Sequence, residues 1–187
     1  MQFGLTEEQI MIVKSARSFV EHELYPYEEE VEVNNAVRPE ILKQIAKKAL
    51  KLGFYAANMP EEIGGGGLDS VSLCLLEREL GRASFALQYA VARPSNILQA
   101  CVGEQIENYL LPAIRGEKVD CLAMTEPDAG SDVRSMNCRA ERDGNDYIIN
   151  GVKHFISHAD IADFVILFAA TGEEDTPRGV KKRITTF

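Results

Sequence analysis

The chain has 187 residues, of which 45% are hydrophobic and 26% charged, so it is long enough to bury a core in one or two domains. Its formal net charge of −9 argues against binding to nucleic acid, because phosphate backbones are bound by basic faces. The apolar runs are far shorter than a membrane span, and no secretory signal pattern precedes Thr6. We therefore expect a cytoplasmic protein that does not associate with membranes.

The four cysteines are widely scattered, with neither a CxxC pair nor a spacing to histidine that is typical of metal ligands. This pattern favours reduced thiols. His154 and His158 are four residues apart, but that spacing gives no shared face in a strand or turn. We therefore expect no metal site.

The first two-thirds of the chain has the apolar spacing and the end signals of helices. Thr6 and Gln9 form a capping box before the first of them. Pro39 opens a second helix that Gly53 ends, and a third runs from about Asp69 to Leu80. Two further segments complete this part: an apolar stretch broken near Pro94, over 84–102, and a helix over 104–114.

From Val119 onward the pattern changes to short apolar runs and turn signals. Asp143-Gly144 and Asn150-Gly151 are dipeptides typical of hairpin turns. The predicted strands cover 119–125, 147–149, 152–157 and 164–169. The fold class is therefore α+β, with an all-helical domain over 1–118 followed by an antiparallel β domain over 119–187.

The last residues, 184–187, have strand-forming composition and no stop signal. We expect the β domain to be incomplete at this end and the chain to be a truncated protein.

One segment combines the residue types of a ligand-binding loop. Residues 123–135 read Ala-Met-Thr-Glu-Pro-Asp-Ala-Gly-Ser-Asp-Val-Arg-Ser and follow a predicted strand directly. Pro127 ends the strand, Gly130 permits a close backbone approach, and Ser131 adds a hydroxyl group beside backbone amides. Such a loop can hold a phosphate or the edge of a flavin. The residues alone fit a plain loop between strands equally well.

This segment resembles the first signature of the acyl-CoA dehydrogenase family, which reads small, aliphatic, Ser/Thr, Glu, two variable positions, small, Gly, Ser/Thr, Asp. Three more segments resemble family motifs in the same order: Pro60-Glu61-Glu62-Ile63-Gly64-Gly65, Glu79-Leu80-Gly81-Arg82, and Asn150-Gly151-Val152-Lys153-His154-Phe155-Ile156-Ser157. Ile63 departs from the pattern, since an aromatic residue is common at its position. The resemblance covers essentially the whole chain.

The resemblance implies an FAD site in the β domain. Thr125 and the backbone of Met124 are expected to face the pyrimidine edge of the isoalloxazine ring, where a donor stabilises negative charge. Gly130 and Ser131 are expected near the FAD pyrophosphate, and Ser131 also near bound acyl-CoA.

The same resemblance assigns the last motif to the flavin. Phe155 takes the position of an aromatic residue that packs on the ring system, with Ile156 beside it, and Ser157 takes the position of a hydroxyl group that hydrogen-bonds flavin N5. Taken alone, Phe155 also fits an ordinary strand core and Ser157 an ordinary turn. Glu126 is the one carboxylate within the four signature residues 124–127, and we interpret it as a structural residue of the loop and not as a proton acceptor.

The resemblance implies dehydrogenation of an acyl-CoA thioester to a trans-2-enoyl-CoA. A carboxylate takes the α-proton, and the β-hydrogen passes as hydride to the flavin. In the family that carboxylate lies on a C-terminal four-helix bundle, which we expect to be absent, so no catalytic residue is assigned and this chain alone is expected to be inactive. Residues Ala90, Val91 and Pro94 are candidates for the floor of the acyl pocket, although helical core fits them equally well.

The family further implies an electron-transferring flavoprotein as acceptor and a homotetramer or homodimer for the full-length protein. Two other readings stay open at this point. One is an acyl-CoA oxidase or another flavoenzyme, such as a reductase, on the same scaffold. The other is a folded fragment without enzymatic activity.

Overall fold

A computed structural model describes residues 4–91, 94–177 and 179–187. The chain divides into two compact units, Met1–Glu117 and Lys118–Phe187. Helices form the first unit and strands form most of the second. The predicted order of a helical region followed by a β region is therefore confirmed. Within the described residues, no helix is long and apolar enough to cross a bilayer.

Six α-helices, joined by shorter helical turns, are present in the described part of the first unit. They are α1 (Glu7–Phe19), α2 (Glu28–Asn34), α3 (Pro39–Lys51), α4 (Ser70–Leu80), α5 (Phe85–Gln88) and α6 (Leu111–Ile114). The predicted capping box is present, since the Thr6 hydroxyl accepts from the Gln9 N–H and the Gln9 side chain accepts from the Thr6 N–H. Pro39 stands in the first turn of α3, and Asp69 caps α4 through the Ser72 N–H.

The predicted helix over 104–114 is present but wider than an ordinary α-helix in its middle, because Ile106–Leu110 form a π turn before α6. Pro112 has no N–H to continue the α-helical hydrogen bonds, which accounts for a local change of winding in front of it. The apolar stretch after Ser84 forms only α5 and two 3-10 turns, Tyr89–Val91 and Asn96–Ala100. Residues 92 and 93 of this stretch lie outside the described residues.

The four-glycine run folds back against the residues that precede it. The N–H of Gly66 donates to Ala56 O at 3.0 Å, and the N–H of Gly67 donates to Met59 O at 2.8 Å. A Cβ atom on Gly65 would lie 2.2 Å from Met59 O, so only glycine fits at this position. The turn thus depends on the absence of side chains.

Apolar side chains from α1, α3, α4 and α5 form the core of the first unit, which includes Phe19, Ile45, Leu76 and Leu87. Glu79 of α4 is the charged residue buried beside this core, with only 2% of its surface exposed. The Arg17 guanidinium of α1 donates to both carboxylate oxygens of Glu79, at 3.0 and 3.1 Å. The Arg78 guanidinium donates to one of these oxygens at 2.8 Å. The carboxylate therefore ties α1 to α4.

Among residues 118–177 and 179–187, the second unit has five strands in one sheet. They are β1 (Asp120–Ala123), β2 (Arg139–Asp143), β3 (Asp146–Asn150), β4 (Phe164–Thr176) and β5 (Gly179–Thr186). The strand order is β1-β4-β2-β3, and β5 also pairs with β4. The β2–β3 and β4–β5 pairs are antiparallel, whereas β1 and β2 both run parallel to β4.

The sheet is thus mixed, and the purely antiparallel domain that the sequence predicted is corrected on this point. Turn signals identify neighbours that a short hairpin joins, such as β2 and β3, where Gly144 has the expected positive φ of 62°. They do not report pairing across a long connection. The 40 or so residues between β1 and β4 return the chain to the same end of the sheet, and this makes the pair parallel.

The strand predicted over 152–157 is wrong, and Asn150-Gly151 does not form a hairpin. The chain leaves β3 at Asn150 and continues without regular structure until β4. Phe155 and His158 have φ angles of 54° and 66°, in the left-handed region that a strand cannot contain. This irregular segment is central to the candidate site.

We predict that Glu79 makes the first unit sensitive to acid. The Arg17 guanidinium lowers the pKa of Glu79 to about 2 against the opposing effect of burial, and Arg78 contributes in the same direction. Because this pKa lies below that of an unfolded chain, the stabilisation is present above about pH 4.5 and is lost as the pH falls towards 2. Glu79→Gln should cost about 2–3 kcal/mol near neutral pH and progressively less in acid.

Urea unfolding followed by helical circular dichroism at several pH values measures this effect. Glu62→Gln is the matched control, because Glu62 is exposed and has no ion pair among the described residues. An equal loss of free energy of unfolding at neutral and acid pH would contradict the prediction.

Candidate functional site

The signature segment forms a tight turn at the end of β1. The backbone groups of Glu126 and Ala129 bond to each other in both directions, at 2.9 and 3.3 Å, with Pro127 and Asp128 at the tip. Ala129 is buried, whereas Gly130 is exposed. A side chain at Gly130 would contact nothing within 4 Å, so its backbone borders open space.

The far end of this loop is fixed to the sheet. Asp132 accepts from the Arg134 N–H at 3.2 Å and from the Ser135 hydroxyl, and together they close a 3-10 turn. Arg134 then reaches β4, where its guanidinium donates to Glu174 at 3.2 Å. Ser131 lies between these two fixed ends, and its exposed hydroxyl has no partner among the described residues.

The Glu126 carboxylate is buried beneath the loop. It accepts from the backbone N–H groups of Asn137 and Cys138, at 2.5 and 2.9 Å, and from Lys153 Nζ at 2.9 Å. Burial raises the pKa of Glu126, but the two N–H groups and the Lys153 ammonium outweigh it, so the pKa is lower than usual. A carboxylate that is buried, ionised and bound by three donors is unsuited to accept a proton from a substrate, which agrees with its interpretation as a structural residue.

The segment 152–157 carries the most exposed large hydrophobic side chain among the described residues of the second unit. Phe155 has 81% of its surface exposed and a φ angle of 54°, and its ring stacks on His154 with 3.6 Å between centroids. A bulky residue in the left-handed region costs free energy. Phe155 is therefore held in an unfavourable conformation without the burial that normally compensates an aromatic residue.

The structure brings this segment beside the signature loop. The His154 N–H donates to Thr125 O at 2.8 Å, and Lys153 Nζ donates to Met124 O at 3.0 Å. The predicted flavin residues Met124 and Thr125 thus each accept a hydrogen bond from one of the two residues before Phe155. The hydroxyl groups of Thr125 and Ser157 bond to no other described residue.

The residues predicted for the acyl pocket, Ala90, Val91 and Pro94, belong to the first unit. Ala90 and Val91 are buried in its helical core. Pro94 is buried too, and its carbonyl accepts from the Asn58 side chain at 3.0 Å. Their role in an acyl pocket stays a prediction.

Sequence reasoning gave no role to Lys153, although it stands within a quoted motif. Its side chain is only 8% exposed, and it bonds to two residues of the signature loop. A lysine among the apolar residues Val152, Phe155 and Ile156 was a weak signal of this kind, because a buried lysine requires a partner. Lys153 and Glu126 are 27 positions apart in the sequence, so no local pattern indicated that Glu126 would be this partner.

Comparison with protein families agrees with the two units. The model of the acyl-CoA dehydrogenase N-terminal domain matches residues 6–117, and that of the acyl-CoA dehydrogenase middle domain matches residues 121–187. The chain belongs to the acyl-CoA dehydrogenase family. The resemblance drawn from the motifs is therefore confirmed.

Individual relatives are named both as dehydrogenases, such as the mitochondrial isovaleryl-CoA dehydrogenase of Pongo abelii, and as reductases. A 3-(aryl)acrylate reductase of Clostridium sporogenes is 41% identical over 97% of this chain and 48% of its own length. A subunit of the caffeyl-CoA reductase–Etf complex of Acetobacterium woodii is 35% identical over 94% of this chain and 47% of its own length. The chain thus spans about half the length of these relatives.

A solved structure of the acyl-CoA dehydrogenase family gives the same result. Glutaryl-CoA dehydrogenase from Mycobacterium smegmatis, in complex with FADH2, matches with a TM-score of 0.78 and 27% identity. The match covers 97% of this chain and 46% of that chain.

We predict that the fold does not need the Phe155 side chain. Phe155→Gly removes a ring that is little buried, and glycine adopts the positive φ of this position without strain. The free energy of unfolding should therefore change by less than about 1 kcal/mol. In contrast, Phe54→Ala should cost about 3–5 kcal/mol, because Phe54 is buried edge-to-face against Phe19. Urea unfolding of both variants measures the difference. A cost for Phe155→Gly as large as that for Phe54→Ala would show that the ring supports the fold.

Proposed function

We propose that this chain supplies one wall of an FAD site in an enzyme that dehydrogenates an acyl-CoA thioester between its α and β carbons. The observation that carries the proposal is the pairing of the signature loop with the segment that presents Phe155, through the bond between Thr125 and His154. Family membership and the FADH2 complex of a related dehydrogenase support the choice of cofactor.

The chemistry of the exposed groups fits a flavin. An isoalloxazine ring is flat and apolar on its faces and has polar atoms along one edge, so it requires an apolar wall and a few hydrogen-bond donors. Phe155 offers an exposed aromatic face, and the unpartnered hydroxyl groups of Thr125 and Ser157 offer donors. The open backbone at Gly130 leaves room for a phosphate group.

Each residue then has a defined task. Thr125, with the backbone of Met124, would stabilise negative charge at the pyrimidine edge, and Ser157 would donate to N5. Phe155 and Ile156 would pack on the ring, whereas Gly130 and Ser131 would border the pyrophosphate. When bound, FAD supplies the two-electron oxidation and reduction, and the protein supplies position and electrostatics.

We infer that the 187 residues alone do not turn over acyl-CoA. An α-proton next to a thioester requires a positioned base, which typically contributes about 10²–10⁴-fold to the rate. Glu126 is excluded from this task by its burial and its three donors. We assign no other described carboxylate to it.

The reverse reaction, reduction of an unsaturated acyl-CoA or acrylate, is the second candidate. The 41% identity with the 3-(aryl)acrylate reductase favours it, and both directions can use the same flavin wall. An electron-transferring flavoprotein is the proposed partner in either case, supported by the Etf complex of the related caffeyl-CoA reductase. Association as a homodimer or homotetramer is part of the proposal for the full-length protein.

The flavin site is tested by titrating the ¹⁵N-labelled chain with FAD and following amide chemical shifts, which detect even weak binding. We expect shifts concentrated at Thr125, Gly130, Ser131 and 155–157, and an affinity weakened about three- to tenfold by Thr125→Val or Ser157→Ala, as for one lost hydrogen bond. Thr186→Val and Ser70→Ala are matched controls at exposed positions that do not belong to these segments. Shifts absent from both segments, or spread evenly over the chain, would contradict the proposed site.

A further inference from the structure

Segment 151–157 has few bonds that hold it to the rest of its unit. It belongs to no strand, and the described structure gives it two backbone hydrogen bonds to residues outside it. The Ile156 carbonyl accepts from the nearby Ala159 N–H at 3.4 Å, and the His154 N–H donates across to Thr125 O in the signature loop. The Phe155 ring contacts its neighbour His154 and is otherwise exposed. Without a strand ladder or a buried aromatic side chain, other contacts must fix this segment.

Lys153 provides those contacts. Its ammonium donates to Met124 O at 3.0 Å and to the Glu126 carboxylate at 2.9 Å. Both side chains of the ion pair are almost fully buried, at 8% and 3% exposure, so water screens the attraction little. Lys153 therefore bonds directly to both residues that flank Thr125.

The Glu126 carboxylate extends the connection to a third segment, since it also accepts from the N–H groups of Asn137 and Cys138 just before β2. The Glu126 carboxylate thus connects three segments: the loop after β1, the start of β2 and segment 151–157. Movement of any of them would leave a buried ionised group short of a partner, which is costly.

We propose that Lys153 is a positioning residue, which acts through Met124 and Glu126 to hold segment 151–157 against the signature loop. In this arrangement Thr125, Phe155 and Ser157 face a single ligand. Only the identity of that ligand, the flavin, rests on the proposed function. The role of Lys153 in fixing the two segments does not.

A purely structural role, in which Lys153 only neutralises Glu126, makes a different prediction. The two roles separate in the double variant Lys153→Met with Glu126→Gln. This variant leaves no unpaired buried charge, so the second unit should recover most of the stability that Lys153→Met alone loses. It still lacks the bonds from Lys153 to the loop.

The readout is amide hydrogen exchange in the full 187-residue chain, without flavin. We expect the His154 N–H to exchange about tenfold faster in the double variant than in the natural chain, as for one or two lost hydrogen bonds. The amides of Leu167 and Ala170 in β4 should keep their protection, since they bond to Phe187 O and Cys138 O. Lys181→Met on β5 is the matched control and should change neither rate.

Two results would overturn the proposal. In one, the double variant protects His154 as well as the natural chain does, so that neutralisation alone accounts for Lys153. In the other, β4 loses its protection together with His154, so that the ion pair supports the whole unit and not this segment.

FAD titration of the same variants tests the link to the proposed function. We expect the double variant to bind FAD about tenfold more weakly at equal stability. If the natural chain shows no FAD-dependent shifts, the flavin assignment fails, whereas the exchange result still decides whether Lys153 positions the segment.

Discussion

The candidate site depends on one buried charge, the Glu126 carboxylate. Removing an ionised carboxylate from water is expensive unless hydrogen bonds and an opposite charge replace its hydration. Here the N–H groups of Asn137 and Cys138 and the ammonium of Lys153 replace it. Because these donors come from two separate stretches of chain, the requirement to satisfy one residue fixes three segments. The carboxylate thus connects the segments of the candidate site.

The first unit also buries a carboxylate, but there the partner cations stay partly exposed to water. Glu79 is surrounded by arginines whose side chains remain between 38% and 56% exposed, so water still hydrates the cations. That arrangement stabilises the contact between α1 and α4 at a modest desolvation cost. Lys153 in the second unit is buried with its partner, which makes its bonds more costly to break. The first ion pair joins regular elements, whereas the second holds a segment that has no regular structure.

Holding irregular backbone in place is what a ligand wall requires here. A strand over 152–157 would have directed alternate side chains to opposite faces. Its backbone amides would have been hydrogen-bonded to a neighbouring strand. The left-handed conformation at Phe155 instead exposes the ring, and the hydroxyl groups of Thr125 and Ser157 stay without a protein partner. Groups that the fold leaves unused in this way are available to a bound molecule. This reasoning supports a ligand at these groups independently of the family resemblance, whereas the choice of a flavin rests on the family.

The sequence by itself determined the elements whose causes are local. Helices α1, α3 and α4 follow from caps and from apolar spacing, which involve bonds between residues three or four positions apart. The hairpin at Gly144 follows from its turn dipeptide in the same way. The motifs also identified the family, and the residue types near Thr125 indicated the kind of chemistry. Only the tertiary structure decided that β1 and β4 are parallel, that 152–157 is not a strand, and that Lys153 pairs with Glu126. These features depend on which distant segments meet, and pairing across tens of residues leaves no periodic signal in either partner.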